Sequence, residues 1–206
     1  MESSAPLLIL LAGSNGSGKS TFHERFLQSL GLPFINPDLI AKEEFGEDAA
    51  AHAMEAAELA SEARHAAVAG SASFIFETVF SDPVGDKVAF CEMAKAKGYL
   101  VDAHFIGLAS PLLSRARVMQ RVAQGGHNVP DAKIESRYTR TLQNLELLIP
   151  VADRLTLYDN STVERPYRPV AYFENGVLVE LSQEIPPWAD FLELPDKATE
   201  STRPIE

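Results

Sequence analysis

The residues that most constrain this chain are the fourteen from Leu7 to Ser20. An unbroken apolar run, Leu7 to Ala12, leads directly into Gly13-Ser14-Asn15-Gly16-Ser17-Gly18-Lys19-Ser20. That octet fills every fixed position of G-x-x-x-x-G-K-[ST]. A continuous apolar run marks a central parallel strand covered on both faces, and parallel strands need long, usually helical, crossovers. The predicted order is therefore strand, tight loop and helix, with the helix beginning near Lys19. Glycines let backbone N–H groups converge on an anion, and the helix N-terminus adds partial positive charge. Gly13, Ser14, Asn15, Gly16, Ser17 and Gly18 thus become candidate phosphate-binding residues. Lys19 is placed on the β and γ phosphates and Ser20 on Mg²⁺, while Thr21 touches the α phosphate or simply begins the helix. ATP and Mg²⁺ are the implied ligands. A glycine turn that merely joins a strand to a helix is the weaker reading, because motif and context agree.

The rest of the chain repeats the alternation. Short β-favouring runs are predicted at Pro33–Asn36, Ser73–Glu77, Tyr99–Ile106 and Arg154–Tyr158. Between them, helices are predicted after Pro37, over Glu47–Ala69, from about Val84 to Lys97, and over Pro111–Ala123 and Asp131–Ile149. Asn175-Gly176 between Val170–Phe173 and Val177–Leu181 signals a hairpin on one edge of the sheet. The expected fold class is α/β, a P-loop NTPase with a parallel sheet flanked by helices. Residues 1–182 form the domain, with a helical lid at about 111–149 and the hairpin at about 169–182. Residues 183–206 form a Pro-rich charged tail whose apolar cluster around Trp188 and Phe191 docks before the end frays. In such sheets ligands bind at the C-terminal strand ends.

Composition removes several function classes. A length of 206 residues with 46% hydrophobic content suits one core. The 18 basic against 29 acidic residues give a net charge of -11, which repels a nucleic-acid backbone. Cys91 is the single cysteine, so neither an intrachain disulfide nor a multi-cysteine zinc site can form. The N-terminal apolar stretch carries Glu2 and no early Lys or Arg, unlike a signal peptide, and no run is long enough to span a membrane. A cytoplasmic protein without membrane or nucleic-acid partners is expected.

Phosphoryl transfer also requires a carboxylate that positions or accepts the proton of the attacking hydroxyl. Asp38, at the edge of the second strand, is the best candidate; its competing role is a helix N-cap, incomplete because Ala41 stands where a capping box needs Glu or Gln. Asn36 beside it is a further candidate substrate contact. Glu77 ends an apolar strand, where a carboxylate is useful if it faces the phosphates, orienting substrate hydroxyls or a Mg²⁺-bound water. Thr78 and Ser81 are candidate acceptor contacts. Arg115, Arg117, Arg121, Arg137 and Arg140 cluster in two helices flanking Gln124-Gly125-Gly126-His127-Asn128, a polar joint in an otherwise acidic chain. A hinged helical pair of this kind suits delivery of arginines to a transferring phosphoryl group. Arg121, nearest the joint, is placed in the catalytic set with Lys19 and Asp38; Arg117, His127, Arg137 and Arg140 are further lid phosphate contacts. No apolar strand ends in a Walker B aspartate, which weighs against a mechanical ATPase.

Taken together, AGSNGSGKSTF at 12–22, INPDLIA at 35–41, FETVFS at 76–81, RVAQGGHNVPDAKIESRYTRTLQNL at 121–145 and YDNS at 158–161 resemble the zeta-toxin family of P-loop kinases, in its short, single-domain bacterial form. The resemblance covers Leu7 to Ser161. It implies an adenylate-kinase-like core with strand order two, three, one, four, five. It also implies ATP-dependent phosphorylation of a hydroxyl of a nucleotide sugar, UDP-N-acetylglucosamine, with Asp38 as base and Glu77 on the sugar. Arg121 matches one of the family's lid arginines. His127, Arg137 or Arg140 would substitute for the second, because Gly126-His127 stands where larger members carry arginine. A small helical antitoxin is the implied partner. The competing readings are a P-loop ATPase or switch module, a kinase of another nucleotide-type acceptor, and a kinase of nucleic-acid ends, which the net charge opposes.

Overall fold

The computed structural model describes residues 5–123, 131–192 and 203–205. β1 (Leu7–Gly13) lies at the centre of the sheet, paired in parallel with β3 (Phe74–Thr78) on one side and β4 (Leu100–Gly107) on the other. β2 (Phe34–Ile35) extends the sheet beyond β3, and β5 (Arg154–Asp159) continues it beyond β4, both in parallel. The order β2-β3-β1-β4-β5 is the one that the resemblance implied.

The apolar run of β1 is explained by burial on both faces. Leu8, Leu10 and Ala12 join the larger core with Phe74, Phe76 and Phe105, while Ile9 and Leu11 join Phe22, Ile75 and Ile106 on the opposite face. The C-terminal end of this strand is thereby fixed in depth and direction. Register then brings Leu11 abreast of Glu77 and Ala12 abreast of Thr78, so the end of β3 stands beside the glycine loop.

Helices fill the crossovers. α1 (Lys19–Phe22) continues through a π-helical turn, His23–Leu27, and a 3-10 turn, Gln28–Leu30. α2 (Pro37–Phe45) follows β2. α3 spans Ala53–Ala69, six residues shorter at its start than Glu47–Ala69, because Gly46 breaks α2 at φ 55 and a 3-10 turn, Gly46–Asp48, takes up Glu47 and Asp48. α4 covers Asp86–Ala96 and omits Val84, since Asp82 Oδ1 accepts from the Asp86 N–H at 2.5 Å and sets the start of the helix there. α5 (Pro111–Ala123) and α6 (Asp131–Leu148) are the two predicted lid helices; the joint at 124–128 lies outside the described residues.

Beyond β5 the sheet becomes antiparallel through β6 (Arg168–Glu174) and β7 (Val177–Ser182), joined at Asn175-Gly176 as the sequence indicated. β8 (Arg203–Ile205) then pairs in parallel with β7, a strand that the charged tail did not suggest. Pro187–Leu192 forms a 3-10 segment that buries Trp188 and Leu192 in the larger core. The Trp188 indole donates to Asp159 Oδ1 at 3.0 Å, and its ring fills the space beside Gly107. A Cβ on Gly107 would lie 2.2 Å from Trp188 Cε2. Gly107→Ala is therefore expected to destabilise the protein by about 1–3 kcal/mol, seen as a lower denaturant midpoint at unchanged slope. An unchanged midpoint would contradict this docking of Trp188.

Candidate active site

The glycine loop is held open by contacts from distant parts of the chain. Gly18 has φ +92, and a Cβ there would lie 2.7 Å from Asn160 Nδ2 and 2.9 Å from the Tyr167 hydroxyl, so only glycine fits. Asn160, just past β5, donates from Nδ2 to the Ser17 carbonyl at 2.8 Å and accepts from the Tyr167 N–H at 3.3 Å. Tyr167 in turn donates its hydroxyl to the Gly18 carbonyl at 2.9 Å. From the other side, the Ser114 hydroxyl on α5 donates to the Asn15 carbonyl at 2.5 Å. The loop also holds three buried polar atoms with no partner among the described residues: Ser14 Oγ, Asn15 Oδ1 and Ser17 Oγ. Such a cradle of unsatisfied polar groups at a helix start fits a bound polyphosphate.

Lys19 is only 6% exposed, and its Nζ donates to the Gly13 carbonyl at 2.9 Å and the Ser14 carbonyl at 3.1 Å. Glu77 Oε1 lies 3.9 Å from the same ammonium. The other Glu77 oxygen accepts from Ser20 Oγ at 3.1 Å and from Asn36 Nδ2 at 2.8 Å. Burial lowers the Lys19 pKa, against the opposing pull of Glu77 and Asp38. Burial likewise raises that of Glu77, against Lys19 and the Ser20 and Asn36 hydrogen bonds. Both charges are thus disfavoured by desolvation and sustained by each other. Glu77 stands directly behind the predicted Mg²⁺ ligand, in keeping with the expectation that this strand-end carboxylate faces the phosphates. The pairing of β1 and β3 puts it there.

Asn36, and not Asp38, caps α2: Asn36 Oδ1 accepts from the Asp38 N–H at 2.8 Å and the Leu39 N–H at 3.3 Å. This removes the competing role for Asp38, whose exposed side chain borders a cavity of about 620 Å³ together with Asn36, Glu77, Thr78, Ser81 and Arg121. Arg137 also lines that cavity, as does Lys133, which was not singled out in the sequence. A separate cleft of about 400 Å³ lies over the glycine loop, bordered by Lys19, Ser20, Thr21, Arg117, Arg121 and Tyr167. Arg121 and Glu77 border both spaces, one from α5 and one from β3.

Of the remaining predicted lid contacts, Arg140 is bound to backbone and His127 lies outside the described residues. Arg140 points to the loop after β3, where its Nε donates to the Ser81 carbonyl at 2.9 Å. Around Arg140, the Thr141 hydroxyl donates to the Val79 carbonyl at 2.8 Å and Asn144 Nδ2 donates to the Phe80 and Asp82 carbonyls at 3.0 and 2.9 Å. These bonds fix the loop that presents Thr78 and Ser81. Phe80 within it is fully buried at φ 61, a conformation a bulky residue keeps only where its surroundings impose it. Asn160, Tyr167 and Ser114 are the functional supports that sequence reasoning missed. Only YDNS at 158–161 hinted at one of them.

If Asn160 holds the loop in its phosphate-ready shape, Asn160→Ala should weaken nucleotide binding about tenfold, from the loss of one or two buried hydrogen bonds. Titration with a fluorescent ATP analogue reads this, alongside circular dichroism to verify the fold. Wild-type affinity in the variant would refute the bracing role.

Comparison with known proteins agrees with this arrangement. An uncharacterized protein of Haemophilus influenzae is 28% identical over 130 residues, covering 63% of this chain and 91% of that protein. A structure from the PezAT chromosomal toxin–antitoxin system of Streptococcus pneumoniae superposes with TM-score 0.61 at 19% identity, covering 84% of this chain and 72% of that one. A structure of AvrRxo1-ORF1:-ORF2 with ATP gives TM-score 0.67 at 18% identity, covering 94% of this chain and 66% of that one. At such identities the two structures show a shared fold. The family model described as Zeta toxin matches residues 1–169. This match, on a sheet and glycine loop built as described, makes the chain a member of the zeta-toxin family of P-loop kinases.

Proposed function

We propose that this protein transfers the γ-phosphoryl group of ATP to a hydroxyl of a nucleotide sugar, UDP-N-acetylglucosamine or a close relative, with Asp38 as the base. The observation that carries the reading is the exposed Asp38 carboxylate on a cavity that shares Glu77 and Arg121 with the cleft over the glycine loop. An acceptor in that cavity and a triphosphate in that cleft would meet between those two side chains.

In this mechanism the acceptor hydroxyl gives its proton to Asp38 as its oxygen forms a bond to the γ phosphorus. The bond from that phosphorus to the β–γ bridging oxygen breaks, and ADP leaves. Lys19 turns from the Gly13 and Ser14 carbonyls to the β and γ phosphates, and the loop N–H groups orient them. Ser20 is the residue that would hold Mg²⁺, with Glu77 behind it, and the ion supplies neutralisation of phosphate charge. Arg121 compensates charge on the transferring group, and Arg117, in the cleft, contacts the donor side. Thr78 and Ser81 contact the acceptor.

The toxin–antitoxin setting of the S. pneumoniae structure supports a small antitoxin as partner. The net charge of -11 favours a small acceptor over a nucleic-acid end. No helix among the described residues is long and apolar enough to cross a membrane.

The test is incubation with Mg-ATP and a panel of nucleotide sugars, with mass spectrometry of the acceptor. One added phosphoryl group on UDP-N-acetylglucosamine is expected, and Lys19→Ala should abolish it. Asp38→Asn should keep ATP binding and slow transfer about 10²–10⁴-fold. Unimpaired transfer by that variant would take Asp38 out of the mechanism. ADP formation that no small acceptor accelerates would favour a switch over a kinase.

A further inference from the structure

Arg64 is a buried charge that the mechanism above does not use. It projects from the middle of α3 with 5% exposure, and its Cζ lies 5.3 Å from the centroid of Phe76 and 5.5 Å from that of Phe90. The two rings engage the guanidinium but offer it no hydrogen-bond acceptor. Among the described residues it makes no hydrogen bond or ion pair, and its Nε is buried without a partner. The titratable group that acts on it is Cys91, whose thiol is pushed up to about 12 by burial and so stays neutral.

Asp38, Glu77 and Asp82 line the same cavity, and none of them pairs with Arg64. Asp82 Oδ1 accepts from the Asp86 N–H and the Asp82 carbonyl is bound by Asn144, while its Oδ2 is buried without a partner among the described residues. Arg64 opens on the cavity of about 620 Å³ that holds Asp38, and also on an adjoining cleft of about 340 Å³ lined by Ser61, His65, Lys87 and Asp86, the last of which forms no ion pair with it. No residue from Gly13 to Ser20 is among the lining of that smaller cleft. A guanidinium buried without a counter-charge is unfavourable unless a ligand supplies one, and its planar fork of donors matches a phosphate.

We propose that Arg64, with Lys87 beside it, anchors a phosphate group of the acceptor on the α3–α4 side of the cavity. The inference rests on reading this cavity as the acceptor side. It adds to that reading two positioning residues that are absent from the cleft over the glycine loop. The attacked hydroxyl then lies at Asp38 while the anchored phosphate lies at Arg64, so one end of the acceptor is gripped by charge and the other presented for reaction.

Inorganic pyrophosphate serves as the probe, titrated calorimetrically into protein whose glycine loop is saturated with Mg²⁺ and a non-hydrolysable ATP analogue. One further pyrophosphate site is expected. Arg64→Met, which keeps an apolar stem between the two rings, should weaken that site at least about tenfold while leaving analogue binding unchanged. Lys87→Ala, at a part-exposed position with little bearing on folding, should weaken it by about threefold or more and carries the test if Arg64→Met does not fold. A wild-type protein without the second site, or variants that bind pyrophosphate like wild type, would overturn the proposal. With an acceptor in hand, Arg64→Met should raise KM more than it lowers kcat. Pyrophosphate binding that depends on Arg64, in a protein that phosphorylates nothing, would sink the kinase reading and leave this site standing. Transfer with an acceptor KM indifferent to Arg64 would do the reverse.

Discussion

The structure turns on the buried carboxylate of Glu77. One oxygen faces the Lys19 ammonium, and the other gathers the Ser20 hydroxyl and the Asn36 amide. Those partners come from two places, the end of the glycine loop at the start of α1, which follows β1, and the cap of α2, which follows β2. An unpaired carboxylate at 9% exposure would be strongly disfavoured, so each partner is held as firmly as Glu77 itself requires. Removing Lys19 leaves the carboxylate without its counter-charge, and removing Ser20 or Asn36 leaves it one hydrogen bond short. The donor loop and the acceptor wall are therefore set relative to each other by one side chain at the end of a short parallel strand.

That strand can do this because the sheet around it is rigid. β1 is buried on both faces, and its register with β3 leaves no freedom to slide, since a shift of one residue would turn every side chain to the wrong face. The second half of the molecule supports the same point from farther away. Asn160 and Tyr167 reach the loop across well over a hundred residues of sequence, and Trp188 secures Asp159, which precedes Asn160. The antiparallel extension through β6 and β7 thus belongs to the phosphate site as much as to the sheet edge.

Much of this was legible in the sequence. The apolar run before Gly13, the eight-residue motif and the alternation of strand and helix are local signals, and they led to the central strands and the residues of the loop, whereas the order of the parallel set came from the family resemblance. Asp38 and Glu77 were legible by position at strand ends. The cap at Asn36, the Arg140 contact with Ser81 and the bracing by Asn160 were not, because each depends on which distant backbone group lies within reach. The late start of α3 was misread for a different reason: acidic residues followed by alanines look like a helix N-terminus, and only the backbone of Gly46 shows the break. Arg64 was passed over because an arginine in an alanine-rich helix carries no mark of burial in sequence alone.

The four hydrogen bonds from α6 to the loop after β3 have a mechanical meaning. Arg140, Thr141 and Asn144 hold the carbonyls of Val79, Phe80, Ser81 and Asp82, so the helix cannot shift along its axis without dragging that loop or breaking its bonds. Work done at one end of this linkage is felt at the other, in both directions. Whatever grips the loop after β3 also stiffens α6, and whatever shifts α6 also reshapes the cavity wall that Thr78 and Ser81 form. The helix and that wall behave as a single jaw.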